Sequence, residues 1–163
     1  MIVSGYTLYI GRHAKSSWDD PHLRDFDRPL NARGLRDAPR MARYLRDAGV
    51  RPHLLLASPA LRAWTTAEIY HDLLGGILRA DERIYDASVQ ALQQLALEAL
   101  RHDREVMIVG HNPGMSELIS RVSDQPSVHL PTAGVVAVHW EGEPMKQPGS
   151  VRFFLYPKVL PNK

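Results

Sequence analysis

The sequence predicts an α/β fold, a three-layer αβα sandwich around a mostly parallel central sheet. Three observations predict it. Short apolar runs rich in strand-forming residues alternate with longer stretches whose apolar residues recur at helical spacing. Two of the helical stretches open on a capping residue followed by proline, and two close on glycine. The run Glu105-Val106-Met107-Ile108-Val109 is apolar without alternation, the pattern of a strand covered on both faces. Strands separated by helices join through right-handed crossovers, which makes neighbouring strands parallel.

Tyr6-Thr7-Leu8-Tyr9-Ile10 reads as the first strand, followed by Gly11. Residues 32–48 carry Leu35, Ala38, Met41, Ala42 and Leu45 at helical spacing and stop at Gly49. His53-Leu54-Leu55-Leu56-Ala57 is a second strand. Ser58-Pro59 then reads as N-cap and first-turn proline of a helix reaching about Leu74, closed by Gly75-Gly76. Ser88 caps the next helix, with Leu92, Leu95, Ala96 and Ala99 as its inner stripe. After the third strand at 105–109, Asn112-Pro113 repeats the cap-plus-proline signature for a helix over about 113–122. Val135–Trp140 and Val151–Tyr156 read as closing strands joined by the loop 141–150. No internal repeat, low-complexity segment or linker divides the chain, so residues 1–163 are expected to form a single domain.

Composition excludes several classes. Hydrophobic residues make up 44% and charged residues 23%, enough for a core that needs no disulfide or structural metal. With no cysteine there is no disulfide framework, no cysteine zinc site and no thiol nucleophile, which fits a reducing cytosol. The opening stretch MIVSGYTLYIGRHAK lacks a basic region, and Ser4 and Gly5 break its apolar part, so it does not read as a leader. No apolar run approaches the ~20 residues of a membrane helix. The net charge of +2 is too small to single out nucleic acid or a membrane as partner. The expectation is a cytoplasmic protein.

The chemistry gathers where strands end. The first strand delivers Arg12 and His13, the second Ser58 and then Arg62, and the third His111. In open α/β sheets ligands bind beyond the carboxyl ends of the strands. Two arginines and two histidines would converge there, beside helix N-termini that favour an anion. Guanidinium forks match phosphate oxygens, so the implied ligand is a phosphoryl group. Taken singly, each motif is ordinary: a solvated Arg-His loop, a capped helix with a surface arginine, a turn into a helix. Their shared placement at strand ends gives them weight. Paired histidines also suggest zinc, but two permanently positive guanidiniums oppose a divalent cation, and no HExxH spacing occurs. His22, His53, His71, His102, His129 and His139 are scattered. No metal or cofactor is assigned.

Four motifs in order then resemble a known family. They are Leu8-Tyr9-Ile10-Gly11-Arg12-His13-Ala14-Lys15-Ser16, Arg28-Pro29-Leu30-Asn31-x-x-Gly34, Ser58-Pro59-x-x-Arg62-x-x-x-Thr66-Ala67 and Gly110-His111-Asn112-Pro113. Together they resemble the histidine phosphatase superfamily, and within it the short SixA-type phosphohistidine phosphatases. The resemblance implies the phosphoglycerate-mutase-like form of the α/β fold. It implies that His13 attacks phosphorus and forms a phosphohistidine that water hydrolyses, with Arg12, Arg62 and His111 holding the phosphoryl oxygens. A neutral imidazole is a competent nucleophile, and nearby arginines keep His13 neutral. Arg-His-Ala-Lys-Ser departs from the superfamily's commoner Arg-His-Gly run, is typical of the SixA-type subgroup and argues against a mutase. It leaves open whether Lys15, Ser16 or Asp19 meets the substrate, and Arg28 is a further candidate.

Superfamily members that act on esters usually carry an acid after mid-chain; Glu82 and Asp86 lie in that region, with Asp86 favoured. A phosphoramidate loses a protonated imidazole and needs no strong acid, which puts phosphohistidine on a protein ahead of a small phosphate ester. With no long insertion to build a lid, an open crevice that admits a protein loop is expected. A non-catalytic phosphate-binding scaffold is the alternative outside enzymes, and the intact Arg12, His13, Arg62 and His111 set speaks against it. Oligomeric state is not readable from the sequence.

Overall fold

Successive residues of a strand point to opposite faces, and in this chain both sets are apolar. The structure, a computed structural model, describes residues 5–161. Residues 1–4, at the head of the stretch judged not to be a leader, and residues 162–163 lie outside the described residues. Six strands, β1 (Tyr6–Arg12), β2 (Leu54–Ala57), β3 (Ile77–Ala80), β4 (Glu105–Gly110), β5 (Val135–Trp140) and β6 (Ser150–Leu155), form one sheet in the order β3-β2-β4-β1-β5-β6. The pairs β3–β2, β2–β4 and β4–β1 are parallel, whereas β5 runs antiparallel to both β1 and β6. The mostly parallel sheet is as expected.

The two apolar faces are covered by different helices. Tyr9, Leu55, Ala57, Met107, Val109 and Ala137 pack with α1 (Ala32–Asp47) and α2 (Leu61–Leu74). Leu8, Ile10, Leu56, Val106, Ile108 and Val138 pack with α3 (Val89–His102) and α4 (Gly114–Val122). The alternation explains why β4 reads as an unbroken apolar run. Among the described residues no helix is long and apolar enough to cross a membrane.

Local readings were corrected at four places. Leu35, one of the apolar positions at helical spacing in α1, is 54% exposed, while Ala38, Met41, Ala42 and Leu45 are buried. The first turn of α1 instead packs through Gly34, where a Cβ would collide with the Lys15 carbonyl. Ser58 does not cap α2: the helix begins at Leu61 with Ala60 at the cap, because the Ser58 hydroxyl is engaged elsewhere. Helix α4 begins at Gly114, although Asn112 Oδ1 still accepts from the Ser116 N–H at 3.1 Å. Strand β3 was not anticipated. It is a four-residue edge strand with exposed Ile77, so neither length nor apolar alternation marks it.

The motif at 28–34 now has a physical reading. Asn31 Oδ1 accepts from Gly34 N–H at 2.9 Å and caps α1. The Asn31 N–H donates to the Lys15 carbonyl at 3.0 Å, which ties the segment after His13 to that helix end. Asn31→Ala is therefore expected to cost about 1 kcal/mol, the usual worth of a cap. Gly34→Ala should cost more, because its methyl meets fixed backbone rather than a movable side chain. Urea denaturation of both variants checks the order; equal midpoints would contradict the packing described.

Candidate active site

Parallel strands end on a common edge, so β2, β4 and β1, adjacent in the sheet, release their next residues side by side. His13 follows β1 directly and stays in the ladder. Its N–H donates to Gly110 O at 3.0 Å, and its carbonyl accepts from Ala133 N–H at 3.0 Å. The next amide, Ala14 N–H, donates to Thr66 Oγ1 at 3.0 Å, and Thr66 donates to Arg62 O at 2.8 Å. Thr66 thus ties the His13 segment to the helix that carries Arg62, which accounts for its place in the third motif.

The structure brings together all four residues expected at the strand ends. The rings of His13 and His111 lie 5.3 Å apart between centroids, and Tyr85 stands edge-on to His111 at 5.6 Å. His13 Nδ1 meets the Ala14 carbonyl at 2.7 Å. A carbonyl only accepts, so Nδ1 carries the proton and Nε2 holds the lone pair of the neutral ring. Arg12 donates through Nη1 to Leu130 O at 3.2 Å. Arg62 gives Nη1 to Asp25 O at 2.7 Å and Nη2 to Asp25 Oδ2 at 3.0 Å. Among the described residues, the buried side-chain nitrogens without a partner are Arg12 Nε, Arg62 Nε and His111 Nδ1. All three belong to this set, and buried polar groups are normally paired.

Burial is the main reason that both imidazoles titrate low. His13 is pushed down to about 3, with His111, Arg62 and Arg12 adding to the effect against the Ala14 carbonyl. His111 is pushed down to about 4 by burial and then by Arg62. Both rings are neutral at physiological pH.

Asp25 was not singled out by the sequence reading. Its Oδ2 accepts from Arg62 and from Tyr85 Oη at 2.8 Å, and its Oδ1 accepts from Arg28 Nε at 3.2 Å. Partial burial pushes this carboxyl up, but the hydrogen bonds from Tyr85, Arg62 and Arg28 outweigh it and hold it at about 2. The only local signal was its place three residues before Arg28; its other partners are 37 and 60 residues away.

The remaining candidates separate. Arg28 is buried, bonded to Ser16 Oγ at 2.9 Å and stacked 3.5 Å from the ring of exposed Trp18. Ser16 is buried under Arg28, so its hydroxyl supports the loop. Asp19 is exposed, and its N–H donates to Ser17 Oγ. A cleft of about 410 Å³ is walled by Asp25, Arg62, Tyr85, Asp86 and His111, among others. Asp86 is on that wall, exposed and at φ 53°; Glu82, Ser16 and Asp19 are not on it. Arg12 and His13 adjoin the cleft through His111 rather than forming its wall. Among the described residues no group of three or more His, Asp or Glu is placed to hold a metal ion.

The class follows from sequence and fold together. The model of the histidine phosphatase superfamily (branch 1) matches residues 8–108, and the chain belongs to that superfamily. Its structural neighbours include a protein assigned as the phosphohistidine phosphatase SixA of Agrobacterium tumefaciens. That match has 28% identity and a TM-score of 0.82, covering 96% of this chain and 100% of the other. The protein histidine phosphatase SixA complexed with tungstate matches at a TM-score of 0.82 over 93% of this chain and 97% of that one, and its 20% identity speaks to the fold alone. An uncharacterised chloroplast protein of Arabidopsis thaliana is 34% identical over 127 residues, 71% of this chain. The chain spans 58% of the length of that relative.

The two neutral histidines set a stability window. Each gains a proton near pH 6.5 when unfolded but resists it when folded. Their contribution is therefore full above about pH 6.5 and lost as pH falls toward 4. Asp25 acts lower: its stabilisation is present above 3.8 and lost as pH falls through about 2. Thermal melts between about pH 7.5 and 4.5 should show a falling melting temperature, and His111→Gln should flatten the fall. A wild-type melting temperature constant across that range would contradict the burial of these rings.

Proposed function

We propose that residues 1–163, as one histidine phosphatase domain, hydrolyse phosphohistidine on a protein through a covalent phosphohistidine at His13. The observation that carries this reading is the bond from His13 Nδ1 to the Ala14 carbonyl, which leaves Nε2 as the nucleophilic lone pair. Arg12, Arg62 and His111 supply three unpaired buried nitrogens beside it, a match in number to three non-bridging phosphoryl oxygens.

In the first step a bond forms between His13 Nε2 and phosphorus while the substrate's P–N bond breaks. The departing electron pair stays on the substrate imidazole, which leaves neutral because its other nitrogen is already protonated. Water then attacks phosphorus, the His13 P–N bond breaks, and inorganic phosphate departs. Positioning and charge stabilisation supply most of the catalysis, as phosphoryl transfer requires. Asp25 is ionised and bonded to Arg62, so it orients that guanidinium and donates no proton.

A small phosphate ester is the second reading, and one observation favours it: Asp86 is the other carboxyl on the cleft wall. An alkoxide leaving group needs an acid, and the position of Asp86 on the cleft wall supports that role. A cytoplasmic setting fits a chain without cysteine.

The test offers the purified protein, without added metal, a phosphohistidine-bearing protein and a panel of phosphate esters. Turnover of the phosphohistidine and a phosphoenzyme stable in base but not in acid are expected, and both vanish in His13→Ala. Arg62→Ala should lower kcat by roughly a hundredfold or more, as the loss of one oxyanion donor does. Asp86→Asn should leave phosphohistidine turnover intact and impair only esters. Wild-type activity in His13→Ala would sink the mechanism, and turnover of esters alone would reassign the substrate.

A further inference from the structure

Ser58 stands in the third motif with no role in the chemistry so far. It is fully buried, and its N–H donates to Val109 O at 3.1 Å, which locks it in register with β4 two residues before His111. Its hydroxyl makes two contacts: Oγ accepts from Ala60 N–H at 3.2 Å and lies 2.7 Å from His111 Nε2. A neutral His111 has one ring proton to place, so the donor in the second contact must be settled.

The inventory of donors settles it. Were Nε2 protonated, two N–H groups would converge on Oγ, and the hydroxyl's own proton would have no acceptor in a fully buried position. With the hydroxyl donating, Ser58 accepts once and donates once, and both partners are satisfied. The ring proton then sits on Nδ1, the nitrogen without a partner on the protein. A bare lone pair there would repel a phosphoryl oxygen; an N–H would bind it.

We propose that Ser58 is a positioning residue that holds His111 in the tautomer protonated on Nδ1, and so makes it a hydrogen-bond donor to the phosphoryl group. This rests on the reading of His111 as a phosphoryl ligand. The charged and titratable groups facing His111 are Arg12 and His13 from the end of β1, Arg62 from α2, Asp25 and Arg28 from the loop before α1, and Tyr85. None of them bonds His111 Nε2 or Nδ1, so Ser58 alone among the described residues selects the tautomer.

Nitrogen NMR of histidine-labelled wild-type protein tests this directly, with His111 assigned by its loss in His111→Gln. At about pH 7.5, His111 should carry its proton on Nδ1, with Nε2 bare. In Ser58→Ala, whose folding is checked by circular dichroism, the Nε2-protonated form should become populated. Phosphoryl transfer from phosphoramidate should then slow by roughly tenfold to a hundredfold. That defect should narrow as the pH falls toward about 4, where a doubly protonated His111 regains its Nδ1–H. A wild-type His111 protonated on Nε2 would overturn the proposal, as would a Ser58→Ala protein with unchanged tautomer and rate. Full activity in His111→Gln would instead sink the reading of His111 as ligand.

Discussion

The main chain at His13 is held on both sides, to Gly110 at the end of β4 and to Ala133 just before β5. The other parts of the site take their positions from that ladder. Gly110 directly precedes His111, so the bond that anchors His13 also sets where the second histidine begins. A side chain at position 110 would strike Ile84 and Met115, which lets α4 and the 82–84 turn close against the strand end. The Ala14 N–H continues the constraint through Thr66 to Arg62. Strand ends therefore hold His13 and His111, and a helix turn holds Arg62, all on rigid elements that fix side chains best.

Electrostatics then work on a frame already fixed. Two histidines and two arginines crowded into a buried space cannot all be charged, and the histidines yield because their protons come off most easily. The desolvation that keeps His13 neutral, with a free lone pair on Nε2, is also what weakens the fold in acid. Asp25 offsets the concentration of positive charge, but it spends its acceptors on Arg62, Arg28 and Tyr85. Through those bonds it also joins the loop before α1 to the segment at 82–85 on either side of the cleft.

The extent to which the site was legible depends on how local each residue's signal was. Arg12 closes a strand and His13, Arg62 and His111 follow one at short offset, so apolar runs point to them without coordinates. Asp25 has no such offset; its meaning lies in partners 37 and 60 residues away. Ser58 shows the opposite failure. Ser-Pro before a helix is a sound capping signal, yet a histidine from another strand engages the hydroxyl, and α2 starts later. Leu35 failed similarly, because Gly34 rather than the leucine meets the backbone after His13.

By itself, the sequence determined the layer architecture, the family and the four residues at the strand ends. These rest on periodicity, capping and short motifs, all of which act over a few residues. Only the tertiary structure decided strand order, the reversed direction of β5, the edge strand β3 and the protonation of the two rings. Those depend on which carbonyl, hydroxyl or carboxylate reaches across the chain, and on how much water is excluded where they meet. A pKa and a tautomer are properties of an environment, and the environment exists only once the strands are paired.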